Sequence, residues 1–297
     1  MIGSSGFIGQ ALLARLLEAG HTVEAWSRRG GPSTGSLHSL PVDLLGPTAL
    51  PAPQGGAWDA AFMLAAHAVP GLPWSSELVM ENLRMTARVV DHLAAHAPGC
   101  RTIFTSSGQV YTPGEGQRRE SDPVAPLHPY GLSKQLSEDW AQSKRPLLDL
   151  QIVRPFNQIG PGMPKGLLIP DLLEKLASTD PVIAMRGRDD SKDFLDWRDA
   201  MDAYLAILAV EAPSGSVWNL CSGRETRVSA LIAELQAAAG DHRAITFADP
   251  RHESLTGDPT RLRTATGWSA RRTLRETSQA IVAASAALAQ GRRANIP

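Results

Sequence analysis

The segment YGLSK at 130–134 carries a tyrosine and a lysine four positions apart. Residues at this spacing share one face of a helix, so Tyr130 and Lys134 are predicted to lie side by side. A phenol, with an ordinary pKa of about 10, is a poor proton donor or acceptor near neutral pH unless a cation favours its phenolate. Lys134 supplies that cation and can also hold a ribose. A surface Tyr–Lys pair shows the same spacing, so this signal needs support.

The glycine-rich turn GSSGFIG at 3–9 stands directly before the first predicted helix. Glycines let the backbone turn tightly and approach a pyrophosphate, whose charge the N-terminus of the helix stabilises. The candidate cofactor-binding residues in this turn are Gly3, Gly6, Phe7, Ile8 and Gly9. An ordinary glycine turn is the alternative interpretation.

The end of the second predicted strand selects between the two nicotinamide dinucleotides. An acidic residue there accepts hydrogen bonds from a ribose 2′-hydroxyl, whereas arginine accommodates a 2′-phosphate. The chain has Ser27, Arg28 and Arg29 at this point and no acid. The sequence therefore favours NADP(H) over NAD(H), with Arg28 and Arg29 as phosphate contacts. Solvated loop charges are the alternative interpretation of both arginines. Asp43, after the next strand, is a candidate acceptor for the adenine amino group or an ordinary loop aspartate.

Strands and helices must alternate to position these residues. Apolar strands are predicted over 21–26, 60–64, 102–105 and 148–153, and amphipathic helices over 10–19, 78–95 and 132–143. Such alternation is typical of a doubly wound, Rossmann-type parallel sheet. The glycine motif requires a strand before it, and only Met1 and Ile2 precede it. We therefore expect a truncated first strand, unless the natural start lies further upstream.

The segments TSS at 105–107 and RPFN at 154–157 end two of the predicted strands. Carboxyl ends of parallel strands meet at the edge where such a sheet binds ligands, so a hydroxyl is expected to point into the cleft there. After Pro155 the pattern changes to helices over 167–177, 199–211, 228–239 and 274–288, with a short strand over 217–220. We expect a cofactor domain over 1–160 and a smaller α/β substrate lobe over 161–297, with the chain free to cross between them.

The composition of the chain excludes several classes of binding partner. The 29 Lys and Arg against 30 Asp and Glu give a formal charge of −1, which argues against nucleic acid or a membrane surface. No run approaches the ~18 apolar residues of a membrane span. Two cysteines, Cys100 and Cys221, match no zinc motif, and no metal site is expected. Buried thiols and the absence of a leader-like segment predict a cytoplasmic protein.

Taken in order, these motifs resemble the extended short-chain dehydrogenase/reductase family, whose members act on nucleotide-sugars. The resemblance spans nearly the whole chain and includes GSSGFIG at 3–9, LAAH at 64–67, SSGQVY at 106–111, YGLSK at 130–134, RPFNQIGPG at 154–162 and KDFLDWRD at 192–199. It implies a catalytic triad of Ser107, Tyr130 and Lys134. In that triad Ser107 hydrogen-bonds the substrate oxygen, Tyr130 exchanges the proton, and Lys134 lowers the pKa of the phenol and binds the cofactor.

The resemblance also implies binding residues and an assembly. Leu64, Ala65 and Ala66 match the strand end that lines the cofactor, and Asn157 matches a cleft residue near substrate and cofactor. Lys192, Arg251 and Glu253 are the implied contacts to the substrate, chiefly to its diphosphate. Arg186 and Arg188 lie in a polar loop and are either further contacts or solvated charges. A homodimer through helices near 78–96 and 130–143 is also implied.

Within the family, the segments at 154–162 and 192–199 look most like the GDP-4-keto-6-deoxymannose reductase branch. Dehydratases carry an acid directly after the catalytic hydroxyl, where this chain has Gly108 and Gln109, so dehydration is disfavoured. We expect NADP(H)-dependent reduction of a nucleotide-diphospho-4-keto-6-deoxyhexose. A nucleotide-sugar epimerase working through a transient keto intermediate, and a non-catalytic NADP(H)-binding sensor, remain as alternatives.

Overall fold

The computed structural model describes residues 1–53, 56–68, 75–249 and 251–294. Its helices are α1 (Phe7–Glu18), α2 (Ser76–His96), α3 (Pro129–Gln142), α4 (Leu168–Leu176), α5 (Trp197–Ala209), α6 (Val228–Ala239), α7 (Thr260–Thr266) and α8 (Leu274–Ala294). Its strands are β1 (Val23–Ser27), β2 (Leu37–Pro41), β3 (Ala60–Met63), β4 (Arg101–Thr105), β5 (Gln117–Arg118), β6 (Asp149–Pro155), β7 (Asn157–Ile159), β8 (Val182–Arg188), β9 (Ser191–Asp196), β10 (Ser216–Leu220), β11 (Glu225–Arg227), β12 (Ala244–Asp249) and β13 (Ser254–Gly257). A 3₁₀ turn spans Gly108–Val110.

The main sheet is parallel throughout. Strand β2 pairs with β1, and β3, β4, β6 and β10 follow one another in that order. The two halves are joined by Ile2, which bridges Trp26 on one side and Met63 on the other. The stretch before the glycine turn therefore contributes one bridge residue, Ile2, in place of a full strand, and hydrogen bonds from Ile2 N to Phe62 O and from Trp26 N to Met1 O hold it, both 2.8 Å.

Helices cover both faces of this sheet, because each face presents a continuous apolar surface. On one face Leu12 and Leu16 of α1 pack in a core with Tyr204 and Ile207 of α5. On the other, Val89 and its neighbours on α2 form a core with Ala141 of α3. Burying each large aliphatic side chain contributes about 1.5–3 kcal/mol. These two layers are the doubly wound arrangement that the alternating pattern predicted.

The smaller lobe has its own sheets and its own core. Strand β9 pairs with β11, β13 and β7, β13 also pairs with β5, and β12 pairs with β8. Helices α4, α6 and α8 pack there around Leu172, Ile183 and Leu231. The predicted fold class, a doubly wound parallel sheet with a smaller α/β lobe, is confirmed. After entering the smaller lobe the chain returns to the larger one, because α5 packs on the main sheet and β10 belongs to that sheet.

Cys100 and Cys221 are buried and free. Among the described residues, no helix combines the length and the apolar character needed to cross a membrane. In the same part of the chain no three His, Cys, Asp or Glu side chains converge in a way that suits a metal ion.

Candidate active site

Several of the predicted site residues lie at the carboxyl ends of the parallel strands of the main sheet. Residues Arg28, Leu64, Ser106 and Asn157 follow β1, β3, β4 and β6 directly or within two positions, and the glycine turn follows Ile2 in the same direction. This edge is where open parallel sheets bind ligands, because loops and helix N-termini converge there.

The glycine turn fits a dinucleotide pyrophosphate. Gly3 has a φ of +91°, and a Cβ at this position would lie 2.7 Å from Ala65 N, so a side chain would collide with the β3 end. The turn thereby lies directly against the Leu64–Ala66 segment that the resemblance assigned to the cofactor. Gly6 caps α1 without a side-chain bond, and the first turn of the helix contains no acid. The helix N-terminus thus presents backbone N–H groups to an anion.

Arg28 and Arg29 follow β1 and are both exposed. The turn that carries them is closed by Ser27 Oγ, which donates to Gly30 O at 3.1 Å. Their position fits a 2′-phosphate beyond the strand end. Asp43 is also exposed, and its Oδ1 accepts the N–H of Leu45 at 3.0 Å, so this carboxylate already closes a local turn.

Tyr130 and Lys134 lie on consecutive turns of α3. The helix begins at Pro129, one turn earlier than predicted, because proline is well accommodated at a first helical position. Lys134 is 3% exposed, and its Nζ donates to Thr105 O at 2.7 Å. The same Nζ lies 5.9 Å from the centroid of the Tyr130 ring. The structure therefore brings the two side chains together at the end of β4.

Burial controls the protonation of this pair. Desolvation lowers the pKa of Lys134 to about 8, against the opposing charge of Glu138. Desolvation also raises the pKa of Tyr130, and the proximity of Tyr204 adds to it. The sequence predicted instead that Lys134 would lower the pKa of the phenol. In the structure the ammonium group donates to a backbone carbonyl, and burial dominates, so Tyr130 is a neutral phenol that is able to donate a proton.

Ser107 lies between β4 and the 3₁₀ turn, where its Oγ accepts the N–H of Gln109 at 3.1 Å. A Cβ at Gly131 would overlap the carbonyl oxygen of Gln109, so the first turn of α3 is in direct contact with this segment. Ser107 and Tyr130 consequently lie on touching segments. The neighbouring Ser106 Oγ is buried without a hydrogen-bond partner among the described residues.

A cavity of about 160 Å³ opens beside Ser107. It is lined by side chains from both lobes, among them Gln109, His128, Asn157, Arg188, Lys192 and Glu253. Asn157 is fixed there by its Nδ2, which donates to Asp193 O at 3.0 Å. Three of the four predicted substrate contacts, Asn157, Lys192 and Glu253, thus share one cavity with the predicted catalytic serine.

The fourth predicted contact, Arg251, lies elsewhere. Its side chain is 76% exposed and pairs with Asp249, with Nε 3.0 Å from a carboxylate oxygen, and it is not among the cavity-lining residues. Arg188 occupies the cavity instead and pairs with Glu253. The sequence left Arg188 open between a contact and a solvated charge, because its partner lies 65 residues away and leaves no local signal. His128, at the start of α3, is a further lining residue that only the structure identifies.

A buried ion pair connects α3 to β6, the helix and one of the strands that position the site. Arg154, at the end of β6, donates through Nε and Nη2 to the two carboxylate oxygens of Glu138 at 2.9 and 2.7 Å. Both side chains are 7% exposed. Arg154 Nη1 also donates to the hydroxyl of Tyr111 at 2.8 Å. Since Glu138 follows Lys134 by one helical turn, this pair ties α3 to the sheet.

Comparison with known proteins identifies the family. The family model for the NAD dependent epimerase/dehydratase family matches residues 1–221. GDP-6-deoxy-D-mannose reductase from Pseudomonas aeruginosa is 29% identical over 94% of this chain and 94% of that protein. UDP-glucose 4-epimerase from Mycolicibacterium smegmatis is 28% identical over 90% of this chain and 91% of that protein.

A solved structure agrees with these matches. The structure of RMD from Pseudomonas aeruginosa complexed with NADPH has a TM-score of 0.82 and 28% identity, over 95% of each chain. The site geometry, the family model and both kinds of relative agree on the class of protein. The chain therefore belongs to the NAD dependent epimerase/dehydratase family and is an NAD(P)-dependent enzyme of the oxidoreductase/epimerase type.

Proposed function

We propose that the chain reduces a nucleotide-diphospho-4-keto-6-deoxyhexose with NADP(H), with Tyr130 as the proton donor. The observation that carries this proposal is the half-buried, neutral phenol of Tyr130 beside Lys134, on a helical turn that contacts the Ser107–Gln109 segment at the cavity. A ketone that accepts a hydride becomes an alkoxide, which needs a proton donor within reach. A neutral phenol meets that need.

Each residue of the triad has a distinct task in this proposal. The cofactor, when bound, supplies the hydride. Ser107 donates a hydrogen bond from its hydroxyl to the carbonyl oxygen of the substrate, which orients the ketone. Tyr130 then gives its proton to the same oxygen. Lys134 keeps a positive charge near the phenolate that remains, which stabilises it.

NADP(H) is the proposed cofactor in preference to NAD(H). Arg28 and Arg29 supply two exposed guanidinium groups at the end of β1, and this strand end has no acid that would accept from a 2′-hydroxyl. The structural relative described above was solved with NADPH. Net reduction also consumes the cofactor, which suits one that exchanges between turnovers.

The proposed substrate class rests on the cavity and on the relatives. Gly108 and Gln109 provide no acid for dehydration beside Ser107. A relative that acts on a GDP-deoxymannose and aligns over 94% of the chain supports a keto-deoxyhexose.

We further propose a homodimer through α2 and α3, on which Met80 and Trp140 leave 55% and 40% of their surfaces exposed. The cytoplasmic location stays a prediction.

Epimerisation is the second candidate, because one relative over 90% of the chain is a UDP-glucose 4-epimerase. The two functions separate when the protein is mixed with NADPH and a GDP- or dTDP-4-keto-6-deoxyhexose. A reductase consumes NADPH in proportion to product, and the loss of absorbance follows it. An epimerase isomerises a nucleotide-sugar without net consumption. Binding of NADPH without either reaction would instead support a sensor and refute the proposed reduction.

A further inference from the structure

Four charged side chains line the cavity beside Ser107: Arg188, Asp190, Lys192 and Glu253. Arg188 donates through Nη1 and Nη2 to the two carboxylate oxygens of Glu253 at 2.8 and 2.7 Å. Its Nε lies 3.2 Å from Asp190 Oδ1, and Lys192 Nζ lies 3.6 Å from Asp190 Oδ2. Two carboxylates thus balance two cations in a cavity that the proposed function requires to accept an anion.

The two edges of the Arg188 guanidinium are held in different ways. Asp190 has a side chain only 12% exposed, and its Oδ1 also accepts the backbone N–H of Glu253 at 3.0 Å. This carboxylate is therefore fixed and anchors the Nε edge of Arg188. The side chain of Glu253 is 41% exposed, so its carboxylate can rotate into water. The acceptor that pairs with Nη1 and Nη2, the outer edge of Arg188, can therefore be exchanged while the arginine itself stays in place.

We propose that Glu253 is an internal anion that occupies the outer edge of Arg188 until the diphosphate of the substrate displaces it. Carboxylate and phosphate oxygens accept from arginine in the same two-bond geometry, so one can replace the other without moving the guanidinium. Once Glu253 has turned away, Arg188 and Lys192 face one remaining carboxylate and leave a net positive charge for the ligand. The inference rests on the proposed function, because it presumes a substrate with a diphosphate.

This proposal assigns Glu253 a role opposite to a substrate contact. A contact residue strengthens binding, so its loss weakens affinity. An internal competitor weakens binding, so its loss strengthens affinity. The sign of one measurement therefore separates the two roles.

The test is calorimetric titration of the protein with inorganic pyrophosphate and with GDP. NADPH is present at saturation so that the glycine turn does not take up the anion. Glu253→Gln keeps the shape of the side chain and removes its charge, and we expect it to bind pyrophosphate about tenfold more tightly than the wild type. Arg188→Gln should weaken binding by about tenfold. Arg188→Lys, which keeps the charge and loses the paired donors, should fall between Arg188→Gln and the wild type.

Glu234→Gln is the matched control, since it makes the same change at a glutamate that pairs with an arginine, Arg275, outside the cavity lining. It should leave pyrophosphate affinity unchanged. An equal gain in Glu234→Gln would point to general charge and would overturn the inference. Weaker or unchanged binding in Glu253→Gln would overturn it as well, as would a wild type and a Glu253→Gln variant that both fail to bind pyrophosphate and GDP. Thermal melting of each variant verifies that it is folded.

NADPH oxidation with the keto-sugar, measured on the same preparations, tests the proposed function separately. Tighter pyrophosphate binding by Glu253→Gln without any turnover of a keto-sugar would sustain the exchange at Arg188 and refute the reductase. Turnover in the wild type with no gain in Glu253→Gln would sustain the reductase and refute the exchange.

Discussion

Lys134 Nζ donates a 2.7 Å hydrogen bond to the carbonyl oxygen of Thr105, the last residue of β4. This bond connects the helix that carries Tyr130 to the strand that leads into Ser107. The ammonium group is buried and has one backbone acceptor, so its position is set by the sheet and not by the phenol. This one hydrogen bond between α3 and the end of β4 therefore helps to position all three residues of the proposed triad.

Replacement of Tyr130 by phenylalanine should abolish the proposed reduction. The change removes the only group assigned to donate the proton, and general acid catalysis contributes about 10²–10⁴-fold to a rate. The rate of NADPH oxidation with a nucleotide-4-keto-6-deoxyhexose should decrease by a factor in that range. NADPH binding, measured by fluorescence titration, should be retained. Tyr111→Phe is the control, since it also removes a buried phenol hydroxyl, but one that is bonded to Arg154 and Asn219. Undiminished turnover in Tyr130→Phe would refute the proposed proton donor.

The proposed turnover should decline as the pH rises through about 8. Burial lowers the pKa of Lys134 to about 8, so the ammonium group is charged below that pH and neutral above it. Loss of this charge removes the stabilisation of the phenolate that forms when Tyr130 gives up its proton. The pH dependence of kcat for NADPH oxidation measures this limb. Lys134→Arg keeps a charge at all these pH values, so any activity it retains should lack the decline. A wild-type profile that is flat from pH 7 to pH 9 would contradict the assignment.

Removal of the Arg28 side chain should erase the preference for NADPH. Arg28→Ala deletes a charge-assisted contact to the 2′-phosphate, worth about tenfold or more in affinity, and leaves NADH binding unaffected. Dissociation constants for NADPH and NADH, compared between the wild type and Arg28→Ala, measure the difference. Arg275→Ala is a suitable control, because Arg275 is an exposed arginine on α8 that pairs with Glu234. Equal affinities of the wild type for both dinucleotides would exclude the proposed role.

Replacing only one partner of the ion pair between Arg154 and Glu138 should strongly lower the free energy of unfolding. Arg154→Met leaves a carboxylate that is 7% exposed without its partner, which costs about 3–5 kcal/mol in the free energy of unfolding. The double variant Arg154→Met with Glu138→Leu removes both charges and should lose less. The exposed pair of Arg15 and Asp202 provides the contrast, since Arg15→Met should cost less than about 1 kcal/mol. Urea denaturation of the wild type and the three variants measures these losses, and similar losses in Arg154→Met and Arg15→Met would contradict the burial argument.

Local patterns in the sequence determined the main sheet and the positions of the proposed triad. The spacing of Tyr130 and Lys134, the glycines at 3–9 and the hydrophilic ends of apolar strands are each set by helix and strand periodicity within a few residues. Parallel strands then place their carboxyl ends at one edge whatever the details of packing. For these reasons the main sheet and the place of the proposed triad at its carboxyl edge were predictable from the sequence, and the individual cofactor contacts stay predictions.

Only the tertiary structure decided the substrate side and the charges. Strand β13 has four residues, too few for a periodic signal, and both β8 and β13 pair with strands far along the chain. Arg188 therefore lies in the cavity and Arg251 in solvent for reasons that no local pattern records. Desolvation is likewise a property of the packed molecule, so the raised pKa of Tyr130 follows from burial among segments that meet only in the folded chain. Spacing determined which side chains stand together, and long-range packing decided their exposure, their charge partners and their protonation.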